Sequence, residues 1–216
     1  MIKADFHIHT QYSMDCTTPL EKIIDRCEAL GINCVAIADH DAVEGALRLK
    51  EIAPFKVIIA EEILTDHGEV MGLFLKERIP SGYSVEQTIA AIKEQGGLIN
   101  IPHPFDKIRS SALGKHIHAI ASEIDVVEVF NARSPLLRTS NMAREFAEKH
   151  GLAGSAGSDA HTLGEIGNAT VTMPDFSGKE DFIDALRQGV IDGHRTNPLR
   201  HLNSTFAKLK NLGRGV

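Results

Sequence analysis

Three short apolar runs and one small-residue run in this chain each stop at acidic or imidazole residues, and that recurrence limits the fold more than any other feature. Cys34-Val-Ala-Ile-Ala38 runs into Asp39-His40-Asp41, and Lys56-Val-Ile-Ile-Ala60 runs into Glu61-Glu62. Leu98–Ile101 delivers Pro102-His103-Pro104, and Ala153–Gly157 delivers Ser158-Asp159-Ala160-His161. A run that is apolar at every position, rather than at every second one, suits a strand covered on both faces. Helical segments separate these strands. Thr17-Thr18-Pro19 starts one that Gly31 ends, and others span about Val43 to Ile52, Ser84 to Gln95, Pro135 to His150 and Lys179 to Gln188. Alternation of this kind predicts a parallel sheet with helices outside, and about seven main strands predict a closed or nearly closed barrel. In such barrels functional groups gather where strands end and loops begin.

The first ten residues fit that plan. Side chains alternate along a strand, so Asp5, His7 and His9 are expected on one face, with Ile2, Ala4, Phe6 and Ile8 on the other. Imidazole is the commonest metal ligand near neutral pH, and a neighbouring carboxylate often orients it. Chance would scatter Asp5, His7, His9, Asp39, His40, Asp41, Glu62, His103, Asp159 and His161 over both strand ends. Their recurrence at one end favours a metal centre.

The rest of the chain adds a hairpin and several connections. Asp66-His67-Gly68 reads as a turn, with Glu69 to Leu75 returning as a strand. Phe105 to Gly114 has no clear period and reads as a loop, followed by a short helix near His116 to Ser122 and a strand from Asp125 to Phe130 that ends at Asn131. Strands near Ala169 to Met173 and Val190 to His194 and a terminal helix complete the chain. No stretch reads as a linker, so residues 1–216 are expected to form a single domain. Hydrophobic residues at 43% suffice for a core, while a net charge of −6 argues against a broad nucleic-acid surface. Eleven histidines beside two tyrosines and no tryptophan point to metal chemistry. Cys16, Cys27 and Cys34 read as reduced thiols rather than a disulfide frame. With no signal-like segment and no run of 18 apolar residues, a cytoplasmic location is expected and no membrane partner.

Asp5-x-His7-x-His9-Thr10, Asp39-His40-Asp41, Glu62, His103-Pro104 and Ser158-Asp159-Ala160-His161, in that order, resemble the motifs of the PHP (polymerase and histidinol phosphatase) family. The resemblance implies a distorted seven-stranded β/α barrel of TIM-like form, holding two or three divalent ions and hydrolysing phosphoesters. Carried over by position, it implies that His7, His9, Glu62 and Asp159 bind one ion. Glu62 bridges to a second, also held by His103, and Asp15, His40 and His161 bind a third. Two positions depart from the family pattern. Ala60-Glu61-Glu62 stands where many members have Gly-x-Glu, which makes Glu61 the alternative to Glu62. Glu69 stands where many have histidine, which makes Glu69 the expected ligand and His67 the alternative.

A mixed set of imidazoles and carboxylates suits zinc, manganese or iron better than calcium. Such ions activate water and clamp the oxygens of an in-line displacement. Arg109 and Arg133, in loops after strand ends, are candidates to grip the phosphate, since guanidinium binds it in a bidentate manner. Arg138, inside a helix, is a weaker candidate for the same role. Asp5 is expected to orient a histidine. Asp41 is a candidate partner behind a ligand or a proton carrier, and Asn131 a candidate to orient substrate or ligand or to make a structural hydrogen bond. His116, His118, His150 and His201 are expected on surfaces or caps, and His194 in a supporting role at most. Ser158 lacks the base and oxyanion hole of a nucleophile. The expected substrate is a phosphorylated small molecule or nucleotide rather than long nucleic acid, which relies on basic grooves and stacking platforms. An exonuclease or bisphosphate phosphatase acting on short RNA or DNA, and a phosphate-binding module without turnover, are the alternatives.

Overall fold

The computed structural model describes residues 1–106 and 111–197. Among these, nine strands and five α-helices follow in the order β1 (Ile2–Ile8), α1 (Leu20–Leu30), β2 (Cys34–Ile37), α2 (Glu44–Ile52), β3 (Lys56–Leu64), β4 (Glu69–Leu73), α3 (Val85–Glu94), β5 (Leu98–Ile101), β6 (Val126–Asn131), α4 (Leu137–His150), β7 (Ala153–Gly157), β8 (Ala169–Met173), α5 (Lys179–Arg187) and β9 (Val190–Gly193). The expected short helix before β6 is a pair of 3₁₀ turns, Gly114–His118 and Ala121–Glu123. The predicted terminal helix lies outside the described residues.

Local chemistry explains the helix limits. In α1 the stripe Leu20, Ile23, Cys27 is buried, and Gly31 stops the helix at φ 64°, a conformation glycine adopts without a Cβ penalty. For α3, the Ser84 hydroxyl accepts from the Gln87 amide at 3.2 Å while the Gln87 side chain accepts from the Ser84 amide at 3.0 Å.

Strands β1 to β7 form a seven-stranded ring. Its neighbours run in the order β7-β6-β5-β4-β3-β2-β1, and β8 and β9 continue beyond β1. The pairs β1–β2, β2–β3, β5–β6 and β6–β7 are parallel, whereas the β3–β4 hairpin makes β3–β4 and β4–β5 antiparallel. That hairpin is the distortion in the barrel. Closure occurs just past β7, where Ala160 bridges Ile8 and the His9 amide donates to the Ala160 carbonyl at 3.0 Å. The other half of β1 is taken by β8, with Ile2 to Ala4 antiparallel to Val171 to Met173. One strand therefore closes the ring at one end and carries an antiparallel extension at the other. The sheet is mixed, in contrast to the parallel sheet that alternation predicts.

Two cores follow from this layout. One lies between the sheet and the helices and includes Ile8, Val35, Ile37, Ile59, Ile99 and Ile101. The other holds strand residues of the same parity as Glu62 and Glu69, namely Ile58, Ala60, Met71 and Leu73, together with Phe6, Cys34, Ala36 and Phe182. It forms an apolar floor beneath the polar ends of the strands. No helix among the described residues is long and apolar enough to cross a membrane.

Candidate metal centre

All nine ligand candidates lie at the end of the ring where it closes. His7 and His9 come from the end of β1, Asp15 from the loop after it and His40 from the residues after β2, where His40 bridges Glu62. Glu62, paired with Met71, and Glu69, paired with Leu64, lie on one face of the hairpin, His103 follows β5, and Asp159 and His161 follow β7. Three groups of donor atoms converge within 4.8 Å: His7, His9 and Asp159; His40, Glu62 and Glu69; and His9, Asp15, His40 and His161.

The distances suit small divalent ions. His7 Nε2 and His9 Nε2 stand 3.1 Å apart, with Glu62 Oε2 at 3.3 Å and 3.5 Å from them. Asp159 Oδ1 is 3.5 Å from His9 Nε2 and 4.0 Å from His7 Nε2. A tetrahedral ion with bonds near 2.1 Å separates its ligands by about 3.4 Å. Glu62 Oε1 reaches His103 Nε2 at 2.9 Å, and Glu69 Oε2 lies 3.5 Å from the same nitrogen. His161 Nε2 and His40 Nε2 approach Asp15 Oδ2 at 3.0 Å and 3.5 Å. His9 thus belongs to two groups, and His40 links Asp15 to Glu62 and Glu69.

Further residues decide which way the ligands face. Glu128 Oε1 lies 3.1 Å from His7 Nδ1. A proton on Nδ1, donated to this carboxylate, leaves the Nε2 lone pair aimed at the cluster. Glu128 Oε2 accepts from the His103 amide at 2.8 Å and from Asn131 Nδ2 at 2.9 Å. Asn131 Nδ2 also donates to Asp159 Oδ2 at 3.1 Å, so Asn131 orients a ligand. His161 Nδ1 is 2.9 Å from the Asp159 carbonyl and donates to it when Nε2 faces Asp15 as a lone pair. Asp39 accepts from the Thr10 hydroxyl at 2.7 Å and anchors the loop after β1. Ser13 Oγ donates to Asp15 at 2.8 Å. Among the described residues, three of the four non-glycine residues at positive φ, Asp41, His103 and Asp159, sit in these loops. Backbone strain of this kind concentrates at functional sites.

The electrostatics carry the sharpest test of metal binding. Burial, followed by repulsion from His161, His40 and His7, pushes His9 down to about 3, so its ring is neutral. Burial also opposes charge on His7, but the Glu62, Asp159 and Glu128 carboxylates outweigh it and hold His7 well above its ordinary value. His40 is raised to about 10, because Glu62, Asp15 and Glu69 outweigh its burial. Glu62 is held well below the usual carboxylate range, as His7, His40 and His103 overcome burial. Asp15 is likewise held far below it, His161 and His40 overcoming burial. Glu69 is raised by burial and by the Glu62 charge. Without ions, then, the carboxylates hold protons on imidazoles where lone pairs could bind a cation. The donor set fits divalent ions, and deprotonated His7, His9, His40, His103 and His161 with Asp15, Glu62, Glu69 and Asp159 would hold them.

Several expectations need correction or placement. Asp5 does not share a face with His7. The β1–β2 pairing slips by one residue between Asp5↔Val35 and Ile8↔Ile37, a bulge that reverses the alternation. Asp5 instead accepts from the Ser158 amide at 2.9 Å and the Gly167 amide at 3.0 Å, tying β1 to the segment after β7. The carboxylate on the His7 ring is Glu128, which the sequence reading missed. Its one signal was a glutamate inside the otherwise apolar stretch Val126-Val127-Glu128-Val129.

Glu61 lies on the opposite face from Glu62, accepts from the Ile79 amide at 2.8 Å, and is pushed up to about 7 by burial. His67 stacks on His116 at 3.7 Å, outside the three groups. Arg133 is buried, with its guanidinium against His161 and 3.7 Å from Glu165. Arg109 and His201 lie outside the described residues. Asp41 adjoins His40 at φ 55°, and its buried Oδ1 has no hydrogen-bond partner among the described residues. Arg138, His116, His118, His150 and His194 are exposed. The Ser158 hydroxyl donates to the His7 carbonyl at 3.3 Å.

Comparison with known proteins gives a consistent result. The PHP domain model matches residues 5–105, and the PHP-associated model matches residues 138–191. Two uncharacterised proteins of Methanocaldococcus jannaschii are similar. One is 42% identical over 61% of this chain and 82% of its own length, the other 34% identical over 86% and 79%. Among solved structures, PsfC from Pseudomonas syringae aligns with a TM-score of 0.69 at 16% identity, covering 97% of this chain and 98% of that one. A protein from Bifidobacterium adolescentis designated a metal-dependent phosphoesterase aligns at 0.65 and 18% identity, covering 87% and 96%. A lesion-specific endonuclease from Pyrococcus furiosus aligns at 0.63 and 17% identity, covering 91% of this chain and 59% of that one. At these identities the structural likenesses establish the fold, while the sequence relatives and domain models establish the kinship: the chain belongs to the PHP family.

Proposed function

We propose that this chain is a metal-dependent phosphoric ester hydrolase acting on a small phosphomonoester or a nucleotide. The observation that carries the reading is the interlocked set of three donor groups, in which His9 and His40 are shared between groups and Glu62 reaches His7, His9, His40 and His103. A lone structural ion would need one closed group. Four carboxylates with five neutral imidazoles carry a charge of about −4, which two divalent ions cancel and three exceed, leaving positive charge for a phosphate dianion. Bound zinc, manganese or iron would polarise water and phosphate and offset developing charge.

The chain's own residues have separate tasks. Glu128 and Asn131 hold His7 and Asp159 in ligating orientation. Buried Arg133 adds positive charge beside His161. Asp41 is the candidate proton carrier, next to His40 and with a buried oxygen that has no hydrogen-bond partner among the described residues. Two structural neighbours, one designated a phosphoesterase and one an endonuclease, have names within the proposed class. Short RNA or DNA therefore stands as the second substrate reading.

The test pairs metal analysis with turnover of aryl phosphates, phosphomonoesters, nucleoside bisphosphates and short RNAs. Activity should vanish with chelator and return with metal. His9→Ala should lose metal and activity together, and retained activity at full metal content would refute the assignment. Phosphate binding without hydrolysis of any member of the panel would favour a binding module instead.

A further inference from the structure

The end of the ring opposite the metal centre carries a cleft of its own. Strand β3 opens with Lys56 and reaches Glu62 about 20 Å further on, at the usual rise of a strand. Antiparallel β4 leaves Glu69 at the centre and ends at Leu73, so Phe74 and Lys76 emerge beside the start of β3. Together with Lys50 from the last turn of α2, Phe55, and Phe176 from the connection between β8 and α5, they line a cleft of about 600 Å³. That volume is typical of small-molecule sites.

The charge in this cleft is uncompensated. Lys56 is held by the Asp175 carboxylate and the Phe176 carbonyl, with its Nζ 4.6 Å from the centre of the Phe176 ring. Lys50 and Lys76 are exposed and form no ion pair among the described residues, although the chain carries a net charge of −6. Three lysines lining one cleft against a single paired carboxylate favour an anion.

The aromatic lining is kept at a cost. Phe74 sits at φ 60° and is the one non-glycine residue at positive φ, among those described, that lies outside the loops of the metal centre. Glycine would relieve that conformation but would remove the ring. The ring is half-buried, in edge contact with Phe182 at 5.2 Å and Phe176 at 6.4 Å, and Phe55 is half-buried as well. Strain of this kind concentrates at functional positions. Aromatic side chains hold nucleobases by stacking, and lysine holds phosphate as a point charge.

We propose that this cleft is a second ligand site and takes a nucleotide with two or more phosphates, its base against Phe55 and Phe74 and its phosphates on Lys50, Lys56 and Lys76. A ligand there is too far from Glu62 to touch the metal centre. The proposal does not rest on the hydrolase reading above.

The test irradiates the full-length, metal-replete chain with 8-azido-ADP and maps the labelled residues by mass spectrometry. Label is expected within residues 55–59 or 74–76. Label confined to the loops that carry the metal ligands, or no label at all, overturns the second site. Labelling needs no turnover, so the outcome is independent of whether the chain hydrolyses phosphoesters. Unlabelled ADP should suppress the cleft label, and a Lys50→Gln, Lys76→Gln double variant should need about tenfold more ADP at low salt, with a smaller difference at high salt. Both side chains are exposed, so the fold and the metal content should be unchanged. Equal suppression in variant and wild type overturns the phosphate contacts. AMP should compete about tenfold better than ribose 5-phosphate, which lacks only the base. Equal competition overturns the place given to the base.

Discussion

Glu128→Gln isolates the residue that sets the His7 tautomer. The native carboxylate accepts three hydrogen bonds, from His7 Nδ1 at 3.1 Å, the His103 amide at 2.8 Å and Asn131 Nδ2 at 2.9 Å. A glutamine has one acceptor oxygen, so it can meet this demand in only two ways. With its oxygen toward His103 and Asn131, its NH₂ faces His7 Nδ1. The ring must then accept there and carry its proton on Nε2, which points at His9 Nε2 and Glu62 Oε2 and can no longer ligate. In the other orientation the NH₂ faces two donors, and each buried donor left unsatisfied costs about 1–3 kcal/mol. The first outcome lowers metal affinity by roughly 10- to 100-fold, as loss of a ligand's supporting partner usually does. The second lowers stability by about 2–6 kcal/mol. Competition against a chelator measures the first and urea unfolding of metal-free protein the second. Wild-type values in both would show that Glu128 does not hold His7, and the orientation argument would fall.

Three further outcomes are expected. Gly157→Ala places a Cβ onto His7 Cβ, 2.8 Å from the His7 amide and 2.9 Å from Glu128 Oε1, so it should lose about 3 kcal/mol by denaturant titration and weaken metal binding; a neutral result would contradict the close approach of β7 to β1. Phe182→Ala empties a ring in edge contact with Phe6, Phe74 and Phe176 in the floor, which should cost about 3–5 kcal/mol while leaving metal affinity unchanged. Burial raises Asp5 and Asp39 from 3.8 to about 6 in the metal-free protein. The unfolded chain sheds these protons near pH 4 and the folded one near pH 6. Stability should therefore fall as pH rises through that window, by about 3 kcal/mol per group, and level off above it. Asp39→Asn, whose amide can donate to the Thr10 hydroxyl, should remove one group's share, and an unaltered slope between pH 4 and 6 would count against the assignment.

Local sequence determined where the chemistry lies. Apolar runs ending in His40, Glu62, His103, Asp159 and His161 name strand ends without any partner in view, because burial on both faces and an abrupt change to polar residues are properties of one strand. The count of about seven main strands follows from the same alternation. Tertiary structure decided what local pattern could not contain. The slip between Asp5 and Ile8 exists only in the pairing of β1 with β2, and it turned Asp5 away from the histidines it precedes. Glu128 supports His7 across 121 residues of sequence, through a contact made when β6 and β7 close the ring onto β1. Sharing His9 and His40 between groups is likewise a matter of distances in space. Side-chain period is a local property of the backbone. Register, closure and the partner of a buried carboxylate arise only when strands meet.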